Sequence, residues 1–273
     1  MATKENDYDH GNHVGNQGDV VKHTVLIAVL DILLESGNKG GKFTFCDAFS
    51  GYGEYALNPE KGECKNGVME LAKKNNSTNA YIENYLGACF AKDKNGEIHY
   101  PGSSVIAAMR AARAERELSV KAWDTNEACT KNLREVLEAQ WTRIKVNVQK
   151  GEMPAGCAKG ADLLFIDPPD REGGRATLKK ISDLGNDIPP LLIWLPVSCH
   201  KDEQDIWVTN TNLQTPKTIK LSRFHVLWTD SRRPRMVVGC EILGYKLAKP
   251  AWEAARSAAK EVAKTMNWCI CFK

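Results

Sequence analysis

Apolar residues cluster along this chain in short dense runs, most of them followed by a stretch in which they recur at helical spacing. Residues 19–36 (DVVKHTVLIAVLDILLES) predict a helix, with Asp19 available to cap it and Gly37 to end it. The run 43–47 (FTFCD) predicts a buried strand that opens directly into Ser50-Gly51-Tyr52-Gly53. From Ser103 the alternation is regular. A helix over 103–116 leads to a strand over 119–123 ending at Asp124. A helix over 126–140 leads to a strand near 144–149, and a further strand over 162–166 ends at Asp167. A helix near 175–185, the apolar run 191–195 (LLIWL), another helix, strands near 217–227 and 236–244, and an Ala- and Lys-rich helix over 251–266 complete the pattern. Such alternation predicts a mostly parallel sheet covered by helices on both faces. The last two strands have no helical pattern between them, so they should pair antiparallel at or near an edge.

Residues 56–99 interrupt this rhythm. They are polar, rich in Lys and Asn, with helical stretches near 65–75 and 79–92. They read as a helical subdomain inserted into one domain made of 1–55 and 100–273. The segment up to Gly18 is rich in Gly, Asn, His and Asp and should be irregular. With 273 residues, 42% hydrophobic and 26% charged, the chain can bury a core without staples, which excludes collagen, coiled coil and wholesale disorder. A net charge of +3 permits nucleic-acid binding without arguing for it. The longest apolar run, Val25 to Leu34, is broken by Asp31 and too short to span a bilayer, and the start carries no signal-peptide core. Nine cysteines without a CxxC pair read as reduced thiols of a cytoplasmic protein, with Cys269 and Cys271 in an irregular tail.

Four constellations could carry chemistry. In Asp47-Ala-Phe-Ser-Gly51-Tyr-Gly53, a strand ends in an acid and a glycine loop follows. Open α/β sheets bind cofactors at that place, and glycines let backbone N–H groups approach a ligand. The GxG lacks the full dinucleotide fingerprint, and a plain strand-to-helix turn reads equally well. In Asp167-Pro168-Pro169-Asp170, the prolines stiffen the chain and remove N–H donors, leaving a carboxylate and a carbonyl suited to gripping an –NH2 group; the bland alternative is a proline-stopped strand. Asp124 ends the second strand, where a doubly wound domain places the acid for a ribose diol. The cluster His10, His13, Asp19, Lys22 and His23 raises a metal, but its spacings match neither a zincin nor a zinc finger, so no metal is expected.

Together these segments resemble the ribosomal RNA large subunit methyltransferase J family. The resemblance is carried by Tyr8-x-His10-x-x-His13-x-Gly15-Asn16-x-x-Asp19-Val20-x-Lys22-His23-Thr24, Cys46-Asp47-Ala-Phe-Ser-Gly51-x-Gly53-x-Tyr55 and Tyr100-Pro101-Gly102-Ser103. Ile166-Asp167-Pro168-Pro169, Leu192-Ile193-Trp194-Leu195-Pro196-Val197 and Asp230-Ser231-Arg232-Arg233 follow in order, and the insertion at 56–99 sits where that family carries its extra subdomain. The resemblance implies a class I methyltransferase Rossmann-like fold, with a seven-stranded mixed sheet and a small helical insertion. It also implies S-adenosylmethionine as cofactor and the exocyclic amino group of an adenine in 23S rRNA, protein-free or in early assembly, as substrate. By the same resemblance Asp167, with Pro168 and Pro169, is catalytic. Lys22, His23, Asp47, Phe49, Gly51, Gly53, Ser103, Asp124 and, as a weaker candidate, Glu152 would surround the cofactor. Tyr8, His10, Asp170 and Trp194 would meet the substrate, with Arg232 and Arg233 on phosphates.

The chain departs from the family's pattern at four places. Asp170 stands for the Tyr after Asp-Pro-Pro, Phe49 for a His, Leu195 for the Tyr of Trp-Tyr-Pro, and Lys150-Gly151-Glu152 for an Asp-Gly. Asp170 cannot stack on a base. Either another aromatic (Tyr8, Phe49, Tyr52 or Trp194) stacks, or the substrate is a different amine of a small molecule, protein or DNA. A non-catalytic relative that only binds RNA or S-adenosylmethionine is the third reading.

Overall fold

The computed structural model describes residues 13–37, 39–60, 62–75, 79–90, 97–200, 220–229 and 236–272. Tyr8, His10, Arg232, Arg233 and the helix expected ahead of the last strand pair lie outside them. Helix α1 (Gln17–Glu35) precedes strand β1 (Lys42–Asp47). The short strands β2 (Glu54–Ala56) and β3 (His99–Pro101) bracket helices α2 (Val68–Lys74) and α3 (Ala80–Cys89). Then follow α4 (Ser103–Arg113), β4 (Glu117–Asp124), α5 (Glu127–Gln140), β5 (Ile144–Lys150), β6 (Leu163–Ile166) and α6 (Arg171–Ser182). The chain closes with β7 (Leu191–His200), β8 (Ser222–Thr229), β9 (Met236–Tyr245), α7 (Lys249–Met266) and β10 (Cys269–Phe272).

The main sheet runs β10-β8-β9-β7-β6-β1-β4-β5. Strands β5, β4, β1, β6 and β7 are parallel, whereas β9 pairs antiparallel with both β7 and β8. This is a doubly wound, Rossmann-like arrangement, with the antiparallel pair toward one side as the sequence predicts. Among the described residues it has eight strands rather than the seven expected. Cys269–Phe272 is not an irregular tail but a strand, β10, which adds antiparallel to β8. Aromatic contacts dock it and the turn before it, Phe272 on Phe224 and Trp268 on Trp228. Cys46, Cys64, Cys89, Cys129, Cys157, Cys240, Cys269 and Cys271 are free, and among the described residues no helix is long and apolar enough to cross a membrane.

Helix α1 begins two residues before the predicted start. Its cap is Asn16, whose side chain accepts from the Asp19 amide, so Asp19 is released into the first turn. The helix is buried nearly all round, with Val20, Val21, Leu26, Val29 and Leu30 at no more than 1% exposure, because it packs against α3, α4 and α7 as well as β7. Helix α7 can approach it through an alanine stripe, Ala254 and Ala258 meeting Ala28.

Within 56–99, Cys64, Val68, Leu71, Ile82 and Tyr85 enter the same core as α1. The pairing of β2 with β3 closes the neck of this segment. The segment also anchors the chain ahead of α1: Glu63 meets His13 and Asn16, and the Val68 amide donates to the Gly15 carbonyl.

Candidate functional site

The order of strands reverses at β1, which has β4 on one side and β6 on the other. In a doubly wound sheet the crevice at that switch point, outside the carboxyl ends of the strands, is the place for a ligand. Asp47, Asp124 and Asp167 stand at the ends of β1, β4 and β6, so the topology gathers the three strand-end acids along one rim.

Asp47 is fully buried. Its Oδ2 accepts from the Ser103 and Ser104 hydroxyls at 2.5 and 2.9 Å, at the positive N-terminal end of α4. Its Oδ1 is buried and accepts no hydrogen bond of good geometry. Burial dominates over the two serines and pushes the pKa up to about 6. Ser50 Oγ, three residues on, is likewise buried without a partner.

The glycine loop differs from expectation. Its amides do not simply face outward: Gly51 N–H donates to Asp124 Oδ2 at 2.9 Å and Gly53 N–H to Asn132 Oδ1 at 2.9 Å. Gly51 has φ +60°, and a Cβ there would lie 2.4 Å from the Tyr55 hydroxyl, so conformation and space both demand glycine. Asp124 Oδ1 takes the Asn126 amide. A carboxylate offers about four acceptor positions, and these contacts use two, leaving capacity for a diol.

Asp167 is held from the opposite side. Lys22 Nζ lies 2.7 Å from Asp167 Oδ2 and 2.7 Å from Asp19 Oδ1. Burial works against the Lys22 charge, but the two carboxylates overcome it and raise its pKa. Burial works against the Asp19 charge too, but the Lys22 ammonium overcomes it and holds the Asp19 pKa down, and Asp19 Oδ2 also accepts the Gly15 amide at 2.8 Å. The Lys22 ammonium sits 5.4 Å from the Trp194 ring centre, and Trp194 lies against Gly18. His23, next on α1, is buried, and burial holds its pKa down to about 3, so it is neutral. Its Nδ1 is 2.8 Å from the Tyr100 hydroxyl, which is 3.1 Å from that of Tyr85 on α3.

Pro168 is buried, while Pro169 and Asp170 are exposed. Asp170 is the N-cap of α6, its side chain accepting from the Gly173 amide at 2.7 Å. That gives this acid a conformational role. Glu152 is exposed after β5 and pairs with Lys180 of α6, which lowers its pKa. Phe49 is half-buried in the loop after Asp47. Ser104, Tyr100 and Asn132 are supporting residues without a role in the sequence pattern, and Asp19, expected as a cap, instead holds Lys22. For Asp19 the i,i+3 spacing to Lys22 was a usable signal.

No family model matches the chain. Two curated proteins named ribosomal RNA large subunit methyltransferase J are similar to it, which bears out the resemblance. That of Escherichia coli (strain K12) is 32% identical over 105 residues, 37% of this chain and 36% of that protein. That of Haemophilus influenzae is 27% identical over 175 residues, 59% of this chain and 58% of that protein. The matched portions thus span less than two thirds of either relative's length. A crystallised protein of Legionella pneumophila superposes with a TM-score of 0.73 at 18% identity, covering 95% of this chain and 98% of that one. The fold is shared over nearly the whole length of both.

Proposed function

We propose that this protein transfers a methyl group from S-adenosylmethionine to the exocyclic amino nitrogen of an adenine in 23S rRNA, acting in the cytoplasm on protein-free or early-assembly RNA. The observation that carries the reading is Asp167-Pro168-Pro169 at the switch-point rim, with Asp167 Oδ2 pinned by Lys22 at 2.7 Å. The similarity to two rRNA methyltransferases supports the RNA substrate.

The residues of the rim suit the cofactor. Asp47 Oδ1 and Ser50 Oγ, buried without a hydrogen bond of good geometry, offer acceptor capacity for a ligand's donors, such as an ammonium. The spare lone pairs of Asp124 suit a ribose diol. When bound, S-adenosylmethionine supplies an electrophilic methyl group on a sulfonium.

An adenine amino group is a weak nucleophile because its lone pair is delocalised into the ring. Asp167 and the Pro168 carbonyl would each accept one of its N–H groups, which favours a pyramidal nitrogen with its lone pair directed away from both acceptors. Proline leaves that backbone with no competing donor. Catalysis is then mostly positioning, and the target base has to leave its stack to reach the rim.

The test is tritiated methyl transfer to deproteinised 23S rRNA. The native protein should transfer. Asp167→Asn, which puts a donor opposite an N–H, should bind S-adenosylmethionine but not turn over. Retained turnover by Asp167→Asn would remove the catalytic assignment, and no transfer by the native protein would remove the substrate.

A further inference from the structure

We infer that Phe49 is the aromatic platform on which the target base stacks, rather than a cofactor contact. The inference rests on the proposed amino-methyl transfer and names the residue that selects a flat, aromatic amine for it. Register places it: Asp47 pairs with Phe165 in the parallel β1–β6 ladder, and the Ala48 amide donates to the Phe165 carbonyl at 3.1 Å. Two residues further along each strand, the chain reaches Phe49 on one side and Asp167 on the other.

The start of α6 fixes the neighbourhood. A Cβ built on Gly173 would lie 3.4 Å from Pro168 Cβ, 3.4 Å from Asp170 Oδ1 and 3.8 Å from Phe49 Cζ. The Phe49 ring therefore borders the Pro168 side of the Asp-Pro-Pro corner. A base whose amino group is gripped by Asp167 and the Pro168 carbonyl must present its face nearby, and a half-buried phenyl ring offers a matching one.

Among the described residues, the other aromatic candidates of the rim, Trp194 and Tyr52, are committed elsewhere. Trp194 has its Nε1 buried, packs on Gly18 and carries the Lys22 ammonium near its ring. Tyr52 meets Tyr55 edge-on, in the loop braced by Asp124. Asp170, with its carboxylate on the Gly173 amide, has no π-face to offer.

The experiment compares native protein, Phe49→Leu and Phe49→Tyr for methyl transfer to deproteinised 23S rRNA, with S-adenosylmethionine affinity by equilibrium dialysis. Phe49→Met, also without a ring, replaces Phe49→Leu if the latter does not fold. Loss of a base–aromatic stack should lower kcat/KM for RNA about 5- to 150-fold in the ringless variant. Phe49→Tyr should stay close to native, and cofactor affinity should be unchanged in both. Native-like kcat/KM in Phe49→Leu overturns the inference and leaves the proposed function standing. A fall in cofactor affinity overturns it in favour of a cofactor contact. Failure of the native protein to methylate rRNA overturns the proposed function and takes this inference with it.

Discussion

Asp47 should make cofactor binding and folding stability respond to pH in opposite directions. Its carboxyl is buried, and its pKa is pushed up to about 6 from an ordinary 3.8. The folded protein therefore holds a proton that the unfolded chain releases between those two values. Stability falls as pH rises from 3.8 to 6, and above pH 6 the ionised group costs the fold about 3 kcal/mol, from about 1.36 kcal/mol per pKa unit. A cationic group docking at Asp47 needs the ionised form. With a pKa of about 6, roughly a tenth of the carboxyl is ionised at pH 5, so affinity should fall about tenfold between pH 7.5 and pH 5.

The assay is equilibrium dialysis of labelled S-adenosylmethionine across that range, on native protein and Asp47→Asn. The variant should bind weakly and without this pH dependence. In urea denaturation at pH 7.5 it should be more stable than native by up to about 3 kcal/mol, less what the weakened Ser103 and Ser104 hydrogen bonds cost. Affinity independent of pH in the native protein, or the same slope in Asp47→Asn, would refute the reasoning.

His23 acts at the acid end: with its folded pKa held near 3 against 6.5, stability is fully present above pH 6.5 and lost as pH falls below it. About 2 kcal/mol of that loss should be reached by pH 5, and urea midpoints of His23→Gln should lack it. Lys22→Met leaves Asp19 and Asp167 without their shared cation. It should destabilise by about 3 kcal/mol at pH 8 and by less at pH 5, where a carboxylate can take up a proton, and it should abolish transfer; thermal unfolding at the two pH values checks the sign. Asp170→Asn keeps a good cap and should keep both stability and rRNA methylation, whereas Asp170→Ala should cost about 1 kcal/mol in the same unfolding assay. Loss of methyl transfer in Asp170→Asn would restore Asp170 as a substrate contact.

The strand-end acids were legible because each closes a dense apolar run, as in FTFCD and DLLFID. The helices were legible from their period, but their starts were set by details a pattern does not carry. Helix α6 begins at Arg171 and not near 175, so the pair Gly173-Gly174, which reads as a breaker in the sequence, lies inside its first turn. In the fold, a Cβ at Gly174 would lie 2.6 Å from Leu195 Cδ2, so this glycine serves close packing of helix on strand. Strand β10 was illegible because Cys-Ile-Cys-Phe has no periodicity of its own and becomes a strand only by docking on β8. The bracing of the glycine loop was hidden for the same reason, since Gly53 meets an Asn132 that lies 79 positions away.

The placement of Lys22 follows from the burial of α1. A helix with only one face against a sheet can slide or roll at small cost, and a charge on it would be placed only loosely. Here Val21, Val25, Leu26 and Val29, each at 1% exposure or less, flank Lys22 and His23 in sequence. Neighbours on several sides make any shift of the helix a cost in packing. The ammonium that divides itself between Asp19 and Asp167 is therefore located by the hydrophobic core, not by its two ion pairs alone. Tyr100 and Tyr85 extend the same logic to His23, fixing its ring through hydroxyls that are themselves buried. The segment 56–99 thereby braces the same elements: its Tyr85 contacts Tyr100, and its Glu63 holds the turn ahead of α1. A rim supported this way keeps Asp167 oriented in advance, which is what the proposed reaction, catalysed by positioning, requires.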